Sequence, residues 1–237
     1  MKQYIYSLIS SNQTNHWWHA GRRNYLLNFL KSIYPNRMKK ITILDYGAGL
    51  GSNVTMLENF GKVELFEPSS KARKFLQLNF NNKLINKIVK KYDLIFLGDV
   101  LEHVKDDYEL LNKLSKHVKR GVGSGLLITV PAFQFLYSEK DKALMHYRRY
   151  NAGNLRNIIG KNFSVIKISY FNSLLFLPLS VAIILCKLFN FKFSKSVERT
   201  PNIFINNFLK FVFFNERYSF TRFIPFGMSL LVFAKKK

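Results

Sequence analysis

The chain has a single cysteine, Cys186, so neither an internal disulfide framework nor a cysteine metal cluster can form. A lone thiol fits a reducing compartment. Acid is scarce: 14 Asp and Glu stand against 37 Lys and Arg, a net charge of +23. No repeat, low-complexity tract or Pro/Gly-rich linker interrupts the chain. The N-terminus lacks an apolar core of signal-peptide length, since Tyr4–Ile9 gives way to the polar Ser10–Asn15.

What is present is a globular composition, 48% hydrophobic and 22% charged over 237 residues, enough for one domain carrying an insertion. The charge is uneven. Residues 1–44 sum to +7 and residues 142–237 to +14, while 45–141 sum to only +2. Basic flanks around a neutral centre attract anionic membrane surfaces, phosphorylated lipids or nucleic acid, although a lysine-rich solvated surface explains part of the excess. Aromatics are abundant, with 12 Tyr and 23 Phe, and much of the surplus falls after residue 160.

Patterning predicts strands alternating with helices. Ile41–Tyr46, Val63–Glu67, Tyr92–Leu97, Gly125–Val130, Phe163–Tyr170 and Met228–Ala234 read as strands. His16–Ile33, Ser52–Asn59, the stretch from Ser69 or Ser70 to Phe80, Asp106–Val118 and the run ending at Gly160 read as helices. That alternation implies an α/β, doubly wound, mostly parallel sheet.

The strongest motif is Asp45-Tyr-Gly47-Ala-Gly49-Leu-Gly51, directly after the first strand and before a helix. Glycines there allow a tight turn and close approach of backbone to ligand, and the helix start offers free N–H groups. Glu67 ends the next strand, where a carboxylate can accept ribose hydroxyls. The position after Gly51 is Ser52, so the spacing departs from that of dinucleotide-binding oxidoreductases. An acid two residues before the first glycine suits the cationic amino-acid end of S-adenosylmethionine better than a pyrophosphate.

On these residues the chain resembles the class I S-adenosylmethionine-dependent methyltransferases, whose pattern is acid-x-Gly-x-Gly-x-Gly, over residues 41–171 and the last strand. The resemblance implies a seven-stranded sheet with an antiparallel last strand and S-adenosyl-L-methionine as cofactor, held by Asp45, Gly47, Gly49, Gly51, Glu67, Asp99 and Leu101. The stretch Gly98-Asp-Val-Leu-Glu-His-Val104 is similar to the "VLEHV" loop of relatives that act on small molecules and quinone precursors. It places Glu102 and His103 toward the acceptor. Between Phe80 and Tyr92 there is no acid, whereas related enzymes have a third strand and an Asp that binds adenine; that strand is expected to be shortened or lost.

His146-Tyr147-Arg148-Arg149-Tyr150 resembles a segment of ubiquinone-type O-methyltransferases. Paired arginines suit a phosphate or carboxylate. His103 and His146 are the candidate bases, with Tyr147, Arg148, Glu102 and Trp18 as candidate acceptor contacts. His16-Trp17-Trp18-His19 is expected to open a lid helix, one Trp in the core and the other over the cofactor. Arg22 is a candidate for the cofactor carboxylate, with solvated surface as the alternative. No metal site is expected.

The expected organisation is a helical lid over 1–39, a cofactor core over 40–171, an apolar and basic insertion over 172–226, and the last strand over 227–237. Within the insertion, Ser173–Cys186 is fourteen uncharged residues, too short for a full membrane span. Phe204, Phe208 and Phe211 fall at helical spacing among Lys192, Lys195, Arg199, Lys210, Arg217 and Arg222. An in-plane membrane anchor needs that combination; core packing is the alternative. The leading expectation is a methyltransferase at the inner face of the cytoplasmic membrane, acting on an oxygen or carbon of a lipid-linked small molecule such as a quinone precursor or polyprenyl-linked sugar. An RNA methyltransferase and a non-catalytic membrane-associated binding protein are the alternatives.

Overall fold

A computed structural model describes residues 15–35, 41–189, 200–222 and 224–237. Tyr4–Ile9, Lys192, Lys195 and Arg199 lie outside the described residues. The first described helix is α1 (Trp17–Ile33), followed by β1 (Ile41–Tyr46), α2 (Val54–Glu58), β2 (Gly61–Phe66) and α3 (Ser70–Phe80). Then come β3 (Leu94–Gly98), α4 (Asp107–Ser115), β4 (Gly125–Pro131), α5 (Glu139–Ala143), α6 (Ala152–Gly160) and β5 (Phe163–Phe171). Two helices, α7 (Phe176–Leu188) and α8 (Ile203–Asn215), precede β6 (Ser229–Lys236).

The sheet order is β2-β1-β3-β4-β6-β5, with β6 antiparallel to both β4 and β5 and the other pairings parallel. Strand residues alternate between two cores with a period of two. Ile43, Leu94, Phe96 and Leu127 face one side, with α1, while Leu44, Ile95, Leu97 and Leu126 face the other, with α4 and α6. Both faces are covered, so the central strands read as continuous apolar runs.

Among the described residues the sheet has six strands, not the expected seven. The third strand is reduced to one isolated bridge between Leu65 and Leu84, extended by a hydrogen bond from Ile85 N–H to Leu65 O of 2.9 Å. The segment is too short and too polar to propagate a ladder. Arg73 secures it instead, donating to the Ile85 carbonyl at 3.1 Å and to the Asn86 side chain.

The strand order reverses between β1 and β3, whose neighbours lie to opposite sides. Loops leaving their carboxyl ends open a crevice at that switch point. α1 packs into the main core rather than standing off it, with Tyr25, Leu26, Phe29 and Leu30 buried. Pro178 leaves α7 intact because it is the third residue of the helix, where no intrahelical N–H bond is due.

Candidate active site

The loop after β1 is shaped by positive backbone angles at Gly47, Gly49 and Gly51, with φ of 73°, 57° and 79°. The three differ in what surrounds them. A Cβ on Gly47 would meet Val100 at 2.7 Å, and one on Gly51 would meet the Phe80 ring at 2.6 Å. A Cβ on Gly49 would meet nothing within 4 Å. Two glycines therefore let the protein close on itself, and the middle one leaves space beside bare backbone for a ligand.

Glu67 holds that loop. Its carboxylate accepts from Gly49 N–H at 2.8 Å and Ser69 N–H at 2.7 Å. It is buried, and desolvation raises its pKa against those two bonds. Asp45 is buried at the end of β1 with Oδ2 lacking any partner. Burial pushes its pKa up to about 7, with Arg22 opposing and Glu67 reinforcing the rise. An orphaned carboxylate oxygen beside an open glycine cradle fits a ligand carrying both a cation and hydroxyl groups, as S-adenosylmethionine does.

Across the crevice, Asp99 follows β3 in the left-handed region at φ 58°, rare for a residue with a side chain. Its Oδ2 pairs with Arg22 at 3.1 Å, and its Oδ1 accepts from the Thr129 hydroxyl at 3.0 Å. Arg22 donates further to Thr129 Oγ1 at 2.8 Å and to Asn53 at 3.4 Å. Arg22 is thus a buried member of this network, and the surface alternative does not hold. Leu101 is fully buried, in one apolar cluster with Leu111 and Val130.

Beyond the loop after β3, Glu102, His103 and His146 come together. Glu102 is fully buried with neither carboxylate oxygen partnered. Desolvation, then the Asp99 charge, raises its pKa well above the ordinary carboxylate value. His103 meets His146 edge-on at 4.6 Å between ring centroids. Burial, then His146, lowers its pKa to about 4, which keeps it neutral. An oxygen of Glu102 and a nitrogen of each imidazole lie within 4.8 Å of one another, close enough to share a proton or a small cation.

His146 is oriented by Asp141, which sequence reasoning missed. Its Nδ1 lies 2.9 Å from Asp141 Oδ1. Asp141 also accepts from Arg149 Nε and Nη2, both at 2.9 Å, and from Ser138 N–H at 2.8 Å. These bonds outweigh its burial and depress its pKa. An ionised Asp141 only accepts, so Nδ1 of His146 carries the hydrogen and Nε2 is left as the base. The signal was Ser138-x-x-Asp141, a helix-capping pattern at the start of α5.

The paired arginines do not form an open anion clamp. Arg149 is committed to Asp141, and Arg148 to Asp107 Oδ2 at 2.9 Å and the Lys105 carbonyl at 2.7 Å. Tyr150 is buried and donates to the same Asp107 oxygen at 2.9 Å. Tyr147 is exposed, and its N–H binds the Glu102 carbonyl at 2.7 Å. Trp17 is buried and Trp18 partly so. Both contact Phe213 of α8, at 6.2 and 5.7 Å between centroids, so the two rings share one aromatic cluster instead of splitting between core and lid.

Residues 17–166 match the family described as a methyltransferase domain. Solved structures share the fold at low identity. A SAM-dependent methyltransferase from Archaeoglobus fulgidus is 19% identical with a TM-score of 0.55, over 90% of this chain and 94% of that one. A sarcosine dimethylglycine methyltransferase (so described provisionally) from Galdieria sulphuraria is 13% identical with a TM-score of 0.56, over 91% and 86%. The N-methyltransferase NodS from Bradyrhizobium japonicum, solved with S-adenosyl-L-homocysteine, is 13% identical with a TM-score of 0.51, over 67% and 81%. No curated protein matches the chain.

Proposed function

The chain belongs to the methyltransferase-domain family, and from that premise we propose that it transfers the methyl group of S-adenosylmethionine to an oxygen, or a carbon, of a lipid-linked or membrane-embedded small molecule. The observation that carries the donor half is the cradle at Gly49, open to a ligand and flanked by Glu67 and the orphaned Asp45 oxygen. When bound, the cofactor supplies a sulfonium already activated for methyl transfer. Asp45 would hold its amino group, Glu67 its ribose hydroxyls, and Arg22 with Asp99 would close the wall beyond.

The protein's remaining work is alignment and deprotonation. Nε2 of His146 would take the proton of an acceptor hydroxyl, while the bound cofactor would supply the methyl group. Asp141 fixes the tautomer and bears the imidazolium charge. His103, kept neutral by a pKa lowered to about 4, and Glu102, whose pKa burial raises, flank His146 on the acceptor side.

The lipid half rests on the apolar segment after β5, whose Phe176 ring lies 5.4 Å from Phe133 of the loop that leads to His146. Work at the inner face of the cytoplasmic membrane follows from that reading and from the basic flanks. RNA would also suit the charge, but exposed aliphatic and phenylalanine side chains favour lipid over a phosphate backbone. Labelled S-adenosylmethionine offered to fractionated lipid, glycan and RNA extracts tests this directly. Label in the lipid fraction is expected; label in RNA alone would overturn the acceptor assignment.

A further inference from the structure

Helix α8 has two apolar sides. The inner one grips α1: Trp17 N–H donates to Asn206 Oδ1 at 2.9 Å, and Phe213 sits directly on Gly21, where a Cβ would lie 2.1 Å from the ring. The outer one carries Phe204, Phe208 and Phe211, which are 84%, 63% and 67% exposed. Their spacing of four and three residues makes one stripe. Helix α7 repeats the arrangement. Ser180 is its one buried residue, Phe176, Leu179, Ile183 and Cys186 are half-buried along one side, and Leu177, Val181, Leu185 and Leu188 lie exposed along the other.

Charge around these stripes is of one sign. Within the described part of residues 172–226 the only acid is Glu216, which is buried and accepts from Ser173 N–H at 2.6 Å. Lys187, Lys210, Arg217 and Arg222 supply cations. Lys210 reaches over the Phe214 ring and Arg217 over the Tyr218 ring, placing charge beside aromatic surface. Each helix has 13 residues. At 1.5 Å per residue that is about 20 Å, short of the ~30 Å hydrocarbon core. Among the described residues no helix is long and apolar enough to cross a membrane.

We propose that the outer faces of α7 and α8 dock on an anionic lipid bilayer, both helices lying in its plane. Apolar stripes ringed by cations match the interface between acyl chains and acidic headgroups. A second copy of the chain is the poorer occupant, because a self-complementary contact would set these cations against each other with no exposed acid among the described residues of 172–226 to pair them. The surface borders the site at both ends. Lys187 donates to the Phe135 carbonyl at 2.7 Å, beside the acceptor loop, and α8 holds α1, which carries Arg22 to Asp99. The proposal deepens the lipid-acceptor reading and rests on it for what the docking delivers.

Co-sedimentation of the full chain with vesicles tests it. The chain should bind phosphatidylcholine vesicles containing about a third phosphatidylglycerol, and high salt should weaken that binding strongly. Phe204→Ser with Phe208→Ser should lower partitioning at least tenfold. Lys210→Glu with Arg217→Glu should lower it about fivefold per charge removed. All four positions are at the surface, so unchanged circular dichroism and unchanged S-adenosylhomocysteine binding will show that the variants fold. Equal partitioning of variants and wild type, equal binding to pure phosphatidylcholine, or a dimer that the Phe204→Ser, Phe208→Ser variant dissociates would each overturn the proposal. Failure on vesicles with cofactor binding intact rejects the docking surface alone. Failure to bind cofactor with docking intact rejects the active-site reading alone.

Discussion

At the scale of single residues, the loop glycines separate into those that serve folding and one that serves the ligand. Gly49→Ala meets no atom of the protein, so its folding cost should be the left-handed backbone penalty of about 1 kcal/mol. It nevertheless places a methyl where the cofactor passes, and calorimetry should show affinity falling at least tenfold. Gly47→Ala drives a Cβ into Val100 and should cost about 1–3 kcal/mol more in urea denaturation. Asp45, pushed up to about 7 by burial, must be ionised to hold the cofactor's ammonium. Affinity for S-adenosylmethionine should therefore drop as pH falls below 7, by about tenfold per unit if only the ionised form binds. Titrations at pH 6, 7 and 8 will show this, and Asp45→Asn should flatten the profile. Glu102 carries its raised pKa in the folded state only, so the folded chain binds more protons than the unfolded one above the ordinary carboxylate range. Stability then falls as pH rises through that window. Glu102→Gln removes the effect, and its melting temperature should gain on wild type as pH rises above the ordinary carboxylate range.

At the scale of elements, the informative contact is α8 against α1. Gly21 was an unremarked position in a helix, and only the packing shows that it admits Phe213 onto the helix backbone. Gly21→Ala improves helix propensity by about 1 kcal/mol, yet forces the ring off its seat. The clash should win, with a net loss of about 1–3 kcal/mol in urea denaturation. Phe213→Ala in the Gly21→Ala background should cost less than Phe213→Ala alone, which a double-mutant cycle reads as coupling. The acceptor side has the same character. Asp141 was not among the candidate residues, and it organises His146, Arg149 and Ser138 because α5 begins where the β4 loop returns toward the loop after β3.

At the scale of the whole molecule, ligand binding and stability are linked. Saturating S-adenosylhomocysteine at about a hundred times its dissociation constant should add about 2.7 kcal/mol. For a chain of this size that is a melting shift of roughly 5–10 °C. At the same ligand concentration the shift should fall to about half or less in Gly49→Ala, which scanning fluorimetry can check. What the sequence determined by itself was local: the strands from their apolar runs, the loop Asp45–Gly51 from glycines with positive φ, Glu67 from its place at the end of β2, and the Phe204–Phe208–Phe211 stripe from helical spacing. Periodicity and turn chemistry act between near neighbours, so one sequence suffices to read them. Tertiary structure decided what depends on distant partners. It reduced the third strand to the Leu65–Leu84 bridge, committed Arg148 and Arg149 to internal carboxylates, and buried Glu102 without a partner. It also brought Arg22 to Asp99 and turned the Phe stripe outward beside cations. Burial and ion pairing are properties of chains brought together from far apart, and no local pattern encodes them.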